Sequence, residues 1–136
     1  MDWYAKLIED MNNHALRDYP LEACGVILKD FTYIPCKNLS DYPKDTFILD
    51  PAIFVKQDEN IWGIFHSHPG SDQPIPSQDD KISAAFQEYK FLVGFNMKFF
   101  IYWMDSKIDA LKFEPFEEKH CVVNNYTCGV YEIIFC

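Results

Sequence analysis

The sequence predicts a single α+β domain, one β-sheet with helices packed against it. Three observations predict this. Residues 4–18 carry Leu7, Met11, Ala15 and Leu16 near helical spacing, the mark of an amphipathic helix. Short apolar runs bounded by charge or turn residues recur along the chain, and these read as strands. With 136 residues, 49% of them hydrophobic and 17% aromatic, the chain can fill one core.

The elements follow in order. Pro20 marks the end of the first helix. EACGVILKD (22–30) reads as a buried strand, and FTYIPC (31–36) hairpins back from it. LSDYPKD (39–45) is a turn-rich loop. TFILD (46–50) reads as a strand, and Pro51 suits the first turn of a helix through residue 58. IWGIF (61–65) is apolar throughout and reads as a central strand that delivers His66 at its end. Residues 67–76 form a Gly/Pro/Ser loop, and Ser77 caps a helix over 77–89. KFFIYWM (98–104) and KIDALKF (107–113) are two further strands, with Asp105 and Ser106 at their turn. The stretch 116–136 fits the scheme poorly and reads as an extension beyond a domain spanning 1–115.

The formal net charge is −9, which disfavours nucleic acid and anionic membranes as partners, since both select basic surfaces. The opening residues are charged and lack the apolar stretch of a signal peptide. No run reaches transmembrane length. The expected location is the cytoplasm of the cell that makes the protein. Five cysteines without a CxxC pair are read as reduced thiols rather than a disulfide framework.

The chemistry concentrates in FHSHPGSDQPIPSQDD (65–80). In extended backbone, residues i and i+2 face the same way, so His66 and His68 leave one face together. Paired imidazoles suit Zn²⁺, and a third ligand can come from Asp79 or Asp80 at the start of the next helix. Hydrolysis also needs a base that is not itself a ligand. Glu22, at the head of an apolar strand, is the candidate, because a carboxylate there is costly without a purpose. A His-x-His pair alone also occurs in ordinary cores, and a Ser-x-x-Asp start alone is a helix cap. The conjunction of the three features carries the reading.

These residues resemble the JAMM (MPN+) metallopeptidases. The resemblance lies in HSHPGSDQPIPSQDD, a His-x-His-Pro followed by Ser-x-x-Asp, and in the upstream glutamate of YPLEACGVIL (19–28). It extends in order over about residues 10–115 and is strongest toward the phage tail-assembly (K-type) branch. It implies a JAMM/MPN-like mixed sheet flanked by helices. It implies that His66, His68 and the motif aspartate bind zinc, that Glu22 acts as general base and then general acid, and that Ser77 donates to the developing oxyanion. The family's usual spacing from the second histidine selects Asp79, whereas the Ser-x-x-Asp offset selects Asp80. Asp80 is preferred, because a loop absorbs one extra residue more readily than a helical turn does.

The implied activity is zinc-dependent hydrolysis of a peptide or isopeptide bond, in a phage tail protein or a cell-wall peptide. Other tail proteins are expected partners. The alternatives are a non-catalytic MPN scaffold and a structural tail component. NNYTCGVYEIIFC (124–136) weakly resembles the start of an NlpC-like cysteine peptidase domain, with Cys128 at the nucleophile position. No histidine follows to activate that thiol, so Cys128 is read as a buried thiol of a terminal element.

Overall fold

The computed structural model describes residues 2–78, 80, 89–105 and 107–123. Helix α1 spans Trp3–Asp18, with the Asp2 carboxylate accepting the Tyr4 N–H at 2.9 Å as its cap. Leu7, Met11 and Ala15 are buried on one side of it. Leu16, expected on that face, is instead exposed, and Asn12 and His14 are buried there. The face is therefore narrower than the hydrophobic spacing implied. It is completed by two polar side chains that have partners inside: Asn12 Oδ1 accepts the Met97 N–H, and His14 Nδ1 pairs with the Tyr33 hydroxyl.

Strands β1 (Cys24–Leu28) and β2 (Tyr33–Cys36) form the expected hairpin. The Thr46–Asp50 segment is a correction, because it joins no strand ladder. Its backbone is held by one side chain, with Asn38 Nδ2 donating to Thr46 O at 2.9 Å and Asn38 Oδ1 accepting the Ile48 N–H at 3.1 Å, and by the Leu39 N–H donating to Ile48 O at 2.9 Å. Helix α2 (Ala52–Gln57) follows Pro51, and a 3₁₀ turn over Asp58–Asn60 leads into β3 (Ile61–Ser67). β3 is buried at every position and runs two residues further than IWGIF, so His66 lies within the strand.

A second correction concerns β4 (Lys90–Phe95), which the sequence reading left unassigned beside the helix expected over 77–89. Of that helix, Gln78 and Asp80 are helical, Tyr89 is not, and the other positions after Ser77 lie outside the described residues. β4 pairs parallel with β3. β5 (Lys98–Asp105) and β6 (Ala110–Pro115) then add antiparallel, giving the sheet order β2-β1-β3-β4-β5-β6. The turn between β4 and β5 is two residues, Asn96 and Met97, both at positive φ (52° and 66°), the geometry that suits the twist of a tight hairpin.

The sheet has two apolar faces. α1 covers one, with Leu7, Met11 and Ala15 against Ile27, Phe65, Leu92 and Ile101. α2 and the 46–50 segment cover the other, with Phe47, Leu49 and Phe54 against Val26, Ile64, Phe91 and Tyr102. Residues 116–123 lie on the domain: Phe116 is buried, and Trp62 Nε1 donates to Val122 O at 3.0 Å. Cys128 lies outside the described residues.

Candidate metal centre

Parallel strands need a long crossover, and the one from β3 to β4 leaves from the carboxyl end of β3. The centre forms at that end. The His68 N–H donates to Gly94 O at 3.2 Å, which keeps the backbone extended one residue past β3. The alternation therefore holds, and both imidazoles face the α2 side of the sheet. Their Nε2 atoms lie 3.2 Å apart.

Asp80 closes the set. Its Oδ1 is 3.2 Å from His66 Nε2, and its Oδ2 is 3.4 Å from His68 Nε2. The carboxylate is placed by a reciprocal cap: Oδ2 accepts the Ser77 N–H at 2.7 Å, while Ser77 Oγ accepts the Asp80 N–H at 3.3 Å. The Ser77 hydroxyl proton takes no part in this cap. Asp79 lies outside the described residues.

Glu22 joins the group from two residues before β1. One of its oxygens and one nitrogen of each histidine lie within 4.8 Å of one another. Its backbone is fixed at both ends, the N–H by Pro43 O at 2.7 Å and the carbonyl by Asn38 Nδ2 at 3.0 Å. The next residue is stitched to β3, with the Ala23 N–H donating to Ser67 Oγ at 2.8 Å and the Ser67 N–H to Ala23 O at 2.9 Å.

Glu22, His66 and Asp80 are 5%, 1% and 5% exposed, so the charges sit largely out of water. Burial pulls the His66 imidazole below its usual value, and the Asp80 carboxylate only partly opposes this. For His68 burial acts the same way, but hydrogen bonding and charge from Asp80, with Glu22 behind, outweigh it and leave this ring above its usual value. Burial also works against the Asp80 charge, and the two imidazoles overcome it, holding the carboxyl below the usual range.

The residues fit a zinc ion. Ligands at about 2.0–2.1 Å in a tetrahedral site sit roughly 3.3–3.4 Å from one another. The His66, His68 and Asp80 contacts at 3.2, 3.2 and 3.4 Å have that spacing. Two buried carboxylates facing two imidazoles also form a set whose charge a divalent cation would balance.

Two parts of this arrangement were absent from the sequence reading. Phe47 stacks on His66 with ring centroids 4.5 Å apart and planes 16° from parallel. His66 Nδ1 is buried without a hydrogen-bond partner among the described residues, so packing orients this ring where an outer hydrogen bond commonly would. The alternation in TFILD was the available signal, since it sets Phe47 and Leu49 on one side. Asn38 carried no signal, because nothing in its neighbourhood marks an amide that binds two distant segments.

The sequence of the chain matches the family described as prokaryotic homologs of the JAB domain (Prok-JAB) over residues 4–113, and the chain belongs to that family. The six-stranded mixed sheet with its helices is an α+β fold of this JAB/MPN kind. Among characterised proteins it is similar to the tail tip assembly protein K of Escherichia phage N15, at 37% identity over 83 residues, or 56% of this chain and 33% of that protein. The match thus spans about a third of the relative's length.

Proposed function

We propose that this chain is a zinc-dependent peptidase or isopeptidase of the JAMM type that works during phage tail assembly. The observation that carries the reading is the triangle of His66, His68 and Asp80 ligand atoms with the Glu22 carboxylate beside it. The tail-tip assembly role of the phage N15 relative supports the setting.

In this reading His66, His68 and Asp80 hold the ion. Zinc supplies Lewis acidity toward the scissile carbonyl and lowers the pKa of water. Glu22 accepts a proton from the attacking water as its oxygen adds to the carbonyl carbon. The Ser77 hydroxyl donates to the carbonyl oxygen as negative charge builds there. Glu22 then returns the proton to the departing amine as the C–N bond breaks.

Elemental analysis tests the centre. The expected result is about one zinc per chain in the wild type, none in the His66→Ala/His68→Ala variant, and full zinc in Glu22→Gln with hydrolysis lost by about 10²–10⁴-fold. A wild type that takes up no zinc from excess metal would leave the chain a non-catalytic scaffold. Glu22→Gln hydrolysing within a few-fold of wild type would remove that residue as the base.

A further inference from the structure

Beside the metal centre lies a cavity of about 430 Å³. Glu22, His68, Ser77 and Asp80 are among its lining residues. The rest is mostly apolar, lined by Phe47, Leu49, Phe54, Ile64 and Phe91. A cavity of this size is far larger than the voids of a packed core and falls in the range of ligand sites.

Its position relative to the chemistry is fixed by the strand. Ile64 precedes His66 by two residues on the same face of β3, so the apolar part begins about 6.6 Å from the first histidine. That is within reach of the side chain of a residue next to a bond held at the centre. The polar lining is one-signed apart from His68, with carboxylates from Glu22, Asp45 and Asp80. An acidic side chain would meet repulsion there, and a small one would leave the apolar walls unfilled.

We propose that this cavity is a specificity pocket, and that the chain hydrolyses bonds flanked by a large apolar residue, aromatic or leucine-like. The proposal rests on the peptidase reading and names the substrate class of that site. Full occupancy by such a side chain is worth about ten- to a hundredfold in binding.

The test uses amino-acid hydroxamates on the zinc-loaded protein, and N-acetyl amides of the same residues on the metal-free protein. Phenylalanine and leucine hydroxamates should bind at least tenfold tighter than the glycine compound, and the aspartate compound should bind weakest. On the metal-free protein, N-acetylphenylalanine amide should shift the methyl resonances of Leu49 and Ile64, and N-acetylaspartate amide should not. Leu49→Asp, and separately Phe54→Trp, which fills the space, should each erase the preference. Equal binding of all four hydroxamates, or a preference that survives both variants, would overturn the pocket. If zinc fails to bind, the metal-free arm still decides: absence of the phenylalanine-dependent shift overturns the pocket, and its presence upholds the pocket while the peptidase reading falls.

Discussion

Asp80 performs two tasks that substitution can separate. It faces both imidazoles, and it accepts the Ser77 N–H at 2.7 Å as half of a helix cap. Asp80→Asn keeps an oxygen for the cap and loses the charge; Asp80→Ala loses both. Residues that merely support a metal ligand cost ten- to a hundredfold in affinity when removed, so loss of a direct anionic ligand should cost more than about a hundredfold in both variants. In the metal-free protein both variants lose the negative charge beside His66 and His68, while the Asn amide keeps polar atoms facing both rings. The difference between them then reports the cap together with the amide's contacts to the rings, at about 1 kcal/mol or more, with Ala the less stable by roughly 3 °C or more in Tm for a chain of this size. The assays are competition with a chromophoric zinc chelator at neutral pH and thermal melting without metal. Asp80→Asn binding zinc within tenfold of wild type would refute the ligand role, and equal melting of the two variants would refute the cap.

Three further outcomes are expected. Gly94→Ala should destabilise the sheet by about 1–3 kcal/mol in chemical denaturation, because the added methyl meets the Phe99 ring and comes within 2.7 Å of Lys98 O on the partner strand. Ser77→Ala should leave zinc affinity within about tenfold while lowering turnover, since its hydroxyl proton is free of the cap; turnover equal to wild type would remove the oxyanion donor. Burial holds His14 below its usual value, with Asp18 opposing and Arg17 assisting. The unfolded chain therefore takes up this proton first as pH falls below about 6.5, and the stabilisation is present above that value and lost beneath it. The Tm gap between wild type and His14→Gln should accordingly narrow from about pH 7 to about pH 5, and a constant gap would contradict the assignment.

The parts legible in the sequence were those whose signals are local. Leu7, Met11 and Ala15 mark their helix by spacing, and His66 and His68 share a face because extended backbone alternates. The Ser77–Asp80 offset is one helical turn, so it transferred directly into a capping contact that aims the carboxylate. What was misread depended on distant partners. TFILD has strand composition, yet its backbone is bound by an amide from Asn38 in place of a neighbouring ladder. KFLVGF (90–95) directly follows the stretch read as helix; its hairpin with β5 is local, but its parallel pairing with β3 spans a long crossover that no local pattern encodes. Phe47 on His66 is likewise a contact between segments whose meeting only the folded chain reveals.

Asn38 joins pieces of the centre that lie on separate stretches of chain. Its amide nitrogen donates both to the carbonyl of Glu22 and to that of Thr46, while its oxygen accepts from Ser40 and Ile48. The carboxylate that would move the proton and the wall that would choose the side chain therefore hang from one rivet. Outward movement of the wall would strain or break the amide's bonds, and the same amide holds the Glu22 carbonyl. In the proposed reading recognition and chemistry are thus mechanically yoked, and a substrate that displaces the wall would also pull on the proposed base.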